Sequence, residues 1–404
     1  MSRRREPVHC IVPNHILVAL AGHKDRQVRD AAFRSLVESG QMRGRREVLG
    51  QTPSAVPAGT KRRTIYDAQN GTNLPGVLVR GEGDPATADD AVNEAHDGLG
   101  ATYDLYSEIF QRNSIDDRGL RLDATVHFDQ GYDNAFFDGR QMVFGDGDGV
   151  VFVGFTKAID VIGHELTHGV TQFTANLVYR NQPGALNESM SDVFGSLVKQ
   201  YALGQTADEA DWLIGAGILA PGVNGAALRS MKAPGTAYND PVLGGKDPQP
   251  ATMSGYIQTS SDNGGVHLNS GIPNHAFFLA ASQLGGYAWE EAGLIWYETL
   301  KRLWPTAQFQ DCANLSALVA GDHFGVGGTQ QQAVLSAWSK VGVPVTTRRP
   351  RRPRPRRASP AGAPNGGGNG SGSGGGGGGG NGNGPIKSQL TRLSEELLRT
   401  IEVL

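Results

Sequence analysis

Hydrophobic positions follow two different periods along this chain. Between residue 61 and about residue 158, short apolar runs are separated by Gly, Asn and Pro, which predicts β-strands. These runs are residues 63–67, 77–79 and 125–128. A single helix, over about residues 89–110, is predicted among them. From about residue 159 to residue 345, apolar residues recur at three- and four-residue steps, which predicts a succession of helices.

The first 60 residues have an amphipathic pattern of their own. One helix is predicted from about residue 14 to residue 39, with Gly40 as its end. Its apolar side carries Leu17, Leu20, Val28, Ala32 and Leu36. Residues 50–59 are rich in Pro and Gly, which predicts an extended connector that is open to cleavage.

Residues 346–404 differ in composition from the rest. Arg alternates with Pro and is followed by a Gly- and Asn-rich stretch, which predicts a disordered linker over residues 346–385. Residues 386–404 then show apolar residues at helical spacing. Because a short isolated helix is unstable in water, this helix is expected to need a partner. A homomeric bundle, an inhibitor, the catalytic body and a membrane surface all remain open, as does a disordered tail.

Charge is segregated along the chain. Residues 1–60 carry ten Lys or Arg and five Asp or Glu, residues 346–404 carry ten and three, and the residues between them carry 17 and 32. An acidic body with basic ends favours docking of the ends on the body or on another anion. The arginine run has no interleaved aromatic residues, so no nucleic-acid partner is expected. No stretch predicts a transmembrane segment, and the N-terminal apolar run is too short for a secretory signal.

Two histidines stand four residues apart in the helical segment that begins near residue 159. His164 and His168 are the first and last residues of a His-Glu-x-x-His motif. On a helix both imidazoles project from one face and can bind one metal ion. Glu165 lies beside that face, where a general base for a metal-bound water belongs. The motif therefore predicts a catalytic metal site that needs a third ligand.

A second helical segment offers that ligand. Glu188 and Asp192 are also four residues apart, so they face the same way. Glu188 would complete a set of three protein ligands and leave the fourth position to water, which is typical of catalytic zinc. Asp192 is placed to accept a hydrogen bond from the outer nitrogen of a ligating histidine and so to fix its tautomer.

The spacing of these motifs resembles that of the thermolysin-like zinc endopeptidases. Nineteen residues separate His168 from Glu188, which is preceded by Asn187 and followed by Ser191 and Asp192. The resemblance implies one catalytic Zn²⁺, with Asn187 and Asp192 supporting its ligands. It also implies that the substrates are proteins and peptides.

The resemblance extends over residues 61–345 and implies an α+β, two-lobed thermolysin-like fold. A β-rich N-terminal lobe (58–175) and a helical C-terminal lobe (176–345) would hold the zinc site in the cleft between them. Residues 1–57 resemble the short propeptide of the protealysin-like subgroup, although Asn14 replaces one of the subgroup's paired prolines. This implies a helical, inhibitory propeptide that docks on its own enzyme and is cleaved off between about residues 48 and 60.

Further roles follow from the resemblance. His267 and Tyr179 would stabilise the oxyanion, with Asp262 orienting His267. Asn134 and the carbonyl of Ala135 would bind the substrate backbone as an added strand.

The same resemblance describes the primed side of the cleft. Arg229 would hold the substrate carbonyl, and Phe152, Val161 and Leu228 would line an apolar pocket there. Cleavage before bulky apolar residues is therefore expected.

Cys10 admits two interpretations. With Cys312 it makes up the whole cysteine content, and the pair gives no disulfide framework. The Cys10 thiolate could occupy the open zinc position until the propeptide is cleaved, as a zymogen switch. Alternatively, Cys10 is a small buried hydrophobe that anchors the propeptide.

The paired calcium site of thermolysin is expected to be lost here. Asp160 and Asp211 remain, but Lys199, Leu213 and Ala216 stand where thermolysin has Glu. A lysine ammonium among the two aspartates could replace the charge of the cation.

The predicted function is that of a zinc-dependent neutral endopeptidase made as a zymogen. Two other functions remain open: a catalytically silent zinc-bearing binding module, and a zinc aminopeptidase with the same His-Glu-x-x-His core. Secretion by a route without a recognisable signal peptide is expected, with a cytoplasmic location as the alternative.

Overall fold

Residues 9–46 and 60–346 are described by the computed structural model, and the surroundings of side chains are described for residues 10–39 and 60–346. The predicted C-terminal helix and, apart from Thr346, the predicted linker lie outside these ranges. So does most of the predicted cleavage region. All described residues belong to one compact unit that spans residues 1–352.

A six-stranded mixed sheet forms the centre of the N-terminal lobe. Its strands are β1 (His9–Cys10), β2 (Arg63–Asp67), β3 (Val77–Arg80), β4 (Leu122–Val126), β5 (Ala135–Phe137) and β6 (Gln141–Phe144). They lie in the order β1-β5-β6-β4-β2-β3, with β4 parallel to both of its neighbours and the other pairs antiparallel. The edge strand β1 comes from the N-terminal segment and pairs Cys10 with Phe136.

Helices make up most of the remainder. They are α1 (Asn14–Ala21), α2 (Arg26–Arg46), α3 (Asp90–Asp104), α4 (Ile159–Gln172), α5 (Asn181–Leu203), α6 (Asp262–Asn269), α7 (Gly271–Leu284), α8 (Glu291–Arg302), α9 (Phe309–Phe324) and α10 (Thr329–Lys340). Two-residue strands β7 (Leu213–Ile214), β8 (Arg229–Ser230), β9 (Asn239–Asp240) and β10 (Gly245–Lys246) form two small ribbons. None of the described helices has the length and apolar character needed to cross a bilayer.

The predicted α+β, two-lobed architecture is confirmed. The sheet precedes α4, and helices dominate after it. The helix predicted near residues 89–110 is confirmed as α3 with one π-helical turn, Leu105–Ile109, at its end.

The single helix predicted for the N-terminal segment was wrong. Helix α1 ends at Ala21, where the backbone N–H of Gly22 bonds to the carbonyl of Ala19. A second helix, α2, begins at Arg26. The Asp25 carboxylate accepts the N–H of Gln27 and so satisfies a free donor at the start of α2. Residues 22–27 contain no apolar residue and begin with a glycine, so the apolar spacing lapses at this break, although Val28 resumes it two turns after Leu20. Gly40 does not end α2 either, since the helix continues beyond it.

The two helices that carry the predicted metal motifs cross at small residues. A Cβ on Gly195 of α5 would lie 2.4 Å from the carbonyl oxygen of Asp160 in α4. A Cβ on Gly163 would lie 3.1 Å from the Cα of Gly195. Any larger side chain at position 195 would push the helices apart, so glycine sets the distance between the two motifs.

Candidate metallopeptidase site

Three potential metal ligands converge between α4 and α5. His164, His168 and Glu188 are all buried, and one ligand atom from each lies within 4.8 Å of the others. The Nε2 atoms of the two histidines are 3.0 Å apart, and each is 3.5 Å from a carboxylate oxygen of Glu188. The Oε2 atom of Glu188 is buried and has no hydrogen-bond partner in the described part of the chain. Two imidazole nitrogens and one carboxylate suit zinc, and an ion there would satisfy this oxygen.

The outer nitrogens of both histidines are fixed by residues of α5. The Nδ1 atom of His164 is 2.8 Å from Asp192 Oδ1, and the Nδ1 atom of His168 is 2.8 Å from Asn187 Oδ1 and 3.0 Å from Ser191 Oγ. Because these oxygens accept the Nδ1–H protons, both Nε2 lone pairs are left to face the metal position.

Asp192 remains ionised in this buried place. Burial alone would raise the pKa of its carboxyl, but Arg229 and His164 outweigh burial and hold the pKa far below its usual range. The ionised carboxylate accepts the hydrogen bond from His164.

Glu165 is the neighbour of His164 on α4, and its side chain is completely buried. This places a carboxylate on the helix that carries both histidine ligands. Its predicted role as general base stays a prediction.

His267 and Tyr179 lie together beside Glu188. The Tyr179 hydroxyl is 3.2 Å from His267 Nε2 and donates a short hydrogen bond to Glu188. Asp262 bonds to His267 twice, through the ring Nδ1 at 2.6 Å and the backbone N–H at 2.8 Å. Burial lowers the pKa of His267, but Asp262 and Glu188 outweigh it and raise the pKa to about 9. At neutral pH the imidazolium therefore has a proton to donate on each nitrogen.

An unusual turn directs the His267 side chain. Asp262, Asn263, Gly264 and Gly265 all have positive φ angles, between 51° and 88°. A Cβ on Gly264 would lie 2.0 Å from the Asn181 side chain, so glycine is required there. Asn and Asp tolerate the left-handed region better than other residues. This turn lets Asp262 approach both the ring and the backbone of His267.

The N-terminal segment runs through the site as strand β1 and the residues after it. His267 Nε2 donates to the carbonyl of Cys10 at 3.0 Å. The Ile11 N–H donates to the carbonyl of Ala135 at 3.3 Å, and Arg229 Nη1 donates to the carbonyl of Ile11 at 3.0 Å.

The contacts of the segment continue past Ile11. The Val12 N–H donates to Asn134 Oδ1 at 3.0 Å. Asn134, Ala135, Arg229 and His267 were each predicted to contact substrate, and all four contact this backbone. Residues 10–12 thus make the backbone contacts that were predicted for a substrate.

The predicted apolar pocket residues and Ile11 are all buried. Phe152, Val161 and Leu228 are at most 1% exposed, and Ile11 is 0% exposed. All four belong to one continuous apolar cluster.

The zymogen-switch hypothesis for Cys10 is not supported by the position of its side chain. Cys10 is not among the residues whose ligand atoms converge at the metal position, although it lies within the described chain. Its side chain packs in an aromatic cluster made by Phe128, Tyr132 and Phe136, together with Val143. The carbonyl of Cys10, rather than its thiol, accepts the hydrogen bond from His267.

Lys199 lies between the two aspartates predicted to remain from a calcium site. Its Nζ is 3.1 Å from Asp160 Oδ2, 2.7 Å from Asp211 Oδ2 and 3.4 Å from the carbonyl of Leu213. Burial lowers the pKa of Lys199, but Asp160 and Asp211 outweigh it and raise the pKa above its usual value. The ammonium is therefore charged and offsets part of the cost of burying Asp160, whose carboxyl pKa burial still raises above its usual value.

A buried carboxyl next to Asn134 makes stability depend on pH. Asp133 is 0% exposed, and its Oδ2 has no hydrogen-bond partner within the described ranges. Burial and the neighbouring Asp148 raise its pKa to about 8. The folded state thus binds this proton more tightly than the unfolded chain does, so stability falls as pH rises from about 4 to about 8.

Asp133→Asn is expected to raise the free energy of unfolding at pH 8 by at least about 1 kcal/mol. The amide cannot ionise and keeps an oxygen to accept the Asp148 N–H, which Asp133 Oδ1 accepts at 2.8 Å. Urea denaturation at pH 8 and pH 5 checks this. The gain should shrink at pH 5, and a gain that is equal at both pH values would contradict the assignment.

Two residues that shape the site were not predicted from the sequence. Gly195 sets the helix crossing, and Asn274 on α7 donates to Asp192 Oδ2 at 2.8 Å. A small residue in an apolar helix pattern is a weak signal of close packing. A single Asn in a helix 82 positions from its partner gives no signal at all.

Comparison with known proteins places these residues in a family. The family described as "Thermolysin metallopeptidase, catalytic domain" matches residues 56–172, and "Thermolysin metallopeptidase, alpha-helical domain" matches residues 175–343. An extracellular metalloprotease of Pectobacterium carotovorum subsp. carotovorum is 50% identical over 344 residues, which cover 85% of this chain and 98% of that protein. Protease PrtS of a Photorhabdus strain is 53% identical over 301 residues, covering 74% and 80%.

A solved structure is also similar to this chain. It is the precursor of protealysin, a metalloproteinase from Serratia proteamaculans, and it is 53% identical with a TM-score of 0.77. The similarity covers 83% of this chain and 99% of that one.

Proposed function

This chain belongs to the thermolysin metallopeptidase family, and we propose that it is a zinc-dependent endopeptidase made as a zymogen whose residues 9–12 block the substrate cleft. The observation that carries the proposal is the hydrogen bonding of those residues. The Cys10 carbonyl accepts from His267, and the flanking backbone bonds to Ala135 and Arg229. A peptide carbonyl therefore lies at the donor proposed for the oxyanion, with chain continuing on both sides.

The chemistry follows from the residues around that carbonyl. A zinc ion held by His164, His168 and Glu188 would polarise the substrate carbonyl and lower the pKa of a bound water to about 7. Glu165 would take the proton of the attacking water and pass it to the leaving amine. His267, held by Asp262, and Tyr179 would donate hydrogen bonds to the oxyanion as it forms.

Substrate would bind as an added strand at the free edge of β5. Asn134 and Ala135 would bond to its backbone, and Arg229 would bind the carbonyl of the residue after the scissile bond. Ile11, which follows the Cys10 carbonyl, is completely buried. This supports cleavage before bulky apolar residues, with Phe152, Val161 and Leu228 lining the pocket.

Latency would come from the propeptide, residues 1–57, occupying the strand position that substrate needs. Cys10 would act as an anchor in its aromatic cluster rather than as a metal ligand. Because two of the relatives are named as extracellular metalloproteases, we extend secretion to this chain as part of the proposal. The remaining proposed domains are two catalytic lobes (58–175 and 176–345), a linker and a C-terminal helix that binds a protein partner.

The direct test follows the precursor after zinc is added. Mass spectrometry should show loss of about fifty N-terminal residues, and hydrolysis of an N-blocked peptide with an internal Ile should rise at the same time. A precursor stripped with a chelator is the control. If the N-terminal segment is removed by another protease and the zinc-loaded product is still inactive on peptides, the site is a binding module.

An aminopeptidase is the alternative enzyme class. In the docked segment, chain precedes the Cys10 carbonyl as well as following it, and β1 pairs His9 with Phe137. A site that requires a free amino terminus would have no room for that preceding chain. Rapid hydrolysis of N-blocked peptides supports the endopeptidase, whereas strict dependence on a free amine would support the aminopeptidase.

Loss of the paired calcium site is the remaining part of the proposal. Lys199→Met is expected to lower the free energy of unfolding by about 3 kcal/mol, because it leaves Asp160 buried without its cation. Chemical denaturation in a metal-free buffer measures this loss. Tight calcium binding by the wild-type protein, abolished by Asp160→Ala in calorimetry, would overturn the proposal.

A further inference from the structure

The Asp192 carboxylate is shared by groups from three different elements. Its Oδ1 accepts from His164 Nδ1 on α4 and from Arg229 Nη2 on β8, each at 2.8 Å. Its Oδ2 accepts from Arg229 Nε and from Asn274 Nδ2 on α7, also at 2.8 Å. All four residues are at most 1% exposed. Each oxygen thus has two donors, which fixes the rotation of the carboxylate about its own axis.

We infer that Asn274 is a positioning residue of the peptidase: it fixes the Asp192 carboxylate so that His164 and Arg229 are oriented together. Arg229 also donates to the Ile11 carbonyl, so the chain of contacts runs from a metal ligand to the docked backbone. Among the described residues, the Asn274 side chain bonds to Asp192 and to neither the metal ligands nor the docked segment, so it acts through Asp192. The inference rests on the proposed peptidase function.

The amide oxygen of Asn274 indicates which way the side chain is oriented. Its Oδ1 atom is buried and lacks a hydrogen-bond partner across residues 9–46 and 60–346. A flipped amide would place this oxygen against the Asp192 carboxylate, so the observed orientation is the stable one. A buried acceptor without a partner costs free energy, and an apolar side chain at this position would avoid that cost. The unpaired oxygen is the cost of this amide, and the hydrogen bond that its nitrogen donates to Asp192 offsets it.

The first test compares Asn274→Leu with the wild type. Leucine fills a similar space but cannot donate, so Oδ2 of Asp192 loses one of its two donors. We expect a fall of about 10- to 100-fold in zinc affinity or in kcat/KM. Zinc affinity is measured on the precursor by competition with a chromophoric chelator, and kcat/KM is measured on the processed enzyme. The matched control is Asn93→Leu, which removes a half-buried Asn whose side chain bonds to Thr87 and Arg80 instead of to Asp192. The control should lower the melting temperature and leave both readouts unchanged.

A second variant separates positioning from packing. Asn274→Asp has the shape of asparagine, and burial beside Asp192 should raise the pKa of the new carboxyl, so that it ionises only in the alkaline range. Once it ionises, two carboxylates face each other, and we expect a larger loss of kcat/KM at pH 9 than for Asn274→Leu. At lower pH the new carboxyl becomes protonated and can donate as the amide did, so activity relative to wild type should recover. A defect in packing alone would not recover with pH.

The outcomes are distinguishable from failure of the proposed function. If the wild-type enzyme is inactive on peptides, the peptidase proposal fails, while the zinc measurement still tests Asn274. If the wild type is active and Asn274→Leu keeps zinc affinity and kcat/KM within about twofold, the inference is overturned. The same holds if the relative activity of Asn274→Asp does not depend on pH.

Discussion

Glu165→Gln is expected to lower kcat for peptide hydrolysis by a factor on the order of 10²–10⁴. Glutamine has nearly the same shape as glutamate but cannot take a proton from water or return one to the leaving amine. Glu165 is completely buried and lies next to His164, so the substitution changes a proton acceptor without opening a path for bulk water. Initial rates on an N-blocked peptide measure the loss.

The metal site should survive this substitution, because Glu165 is not one of the three converging ligands. Zinc content after dialysis should therefore match that of the wild type. The variant precursor should also keep its N-terminal segment, as judged by mass. An active Glu165→Gln enzyme with full zinc would show that another group is the base, and the proposed mechanism would be abandoned.

Acidification is expected to weaken docking of the N-terminal segment about tenfold for each pH unit between about 6.5 and 4. His15 of α1 lies 3.0 Å from the Tyr238 hydroxyl through Nε2, and its Nδ1 is buried without a hydrogen-bond partner in the described chain. Burial lowers its pKa to about 4; His267 and Arg229 add to this, and Asp262 opposes it. The docked state thus binds this proton less tightly than a free segment would. Docking has its full strength above pH 6.5 and loses it as pH falls.

Amide hydrogen exchange on the zinc-loaded Glu165→Gln precursor measures the effect. After correction for intrinsic rates, protection of the Ile11 and Val12 amides should fall between pH 7 and pH 5. His15→Gln is the control, since glutamine can still bond to Tyr238 but does not titrate in this range. An equal fall of protection in both proteins would assign the pH dependence to other groups.

Local patterns in the sequence determine much of this fold and of the metal site. The His-Glu-x-x-His helix and its partner are confirmed as α4 and α5, because i and i+4 spacing on a helix leaves few other arrangements. The three ligands meet because both helices are long, apolar and in contact. The ion pairs of Lys199 with Asp160 and Asp211 also follow from the substitutions seen in the sequence.

Other features depend on contacts that no local pattern encodes. The contact of Cys10 with its aromatic cluster depends on the register of β1 against β5, where a shift by one residue would reverse the faces of the strand. The bond from Asn274 to Asp192 joins residues far apart in the chain and requires the packed tertiary structure.

The edge position of β1 has a consequence for which proteins can be attacked. Once that strand is gone, β5 offers unpaired N–H and C=O groups, which only a chain in extended form can satisfy. A peptide bond inside a helix or a central sheet has its own groups already engaged and cannot supply them. Susceptibility of a folded target is then governed by how often a local stretch of about four residues opens, more than by its sequence. Such an enzyme would nick exposed loops first and digest a compact domain only as fast as that domain unfolds.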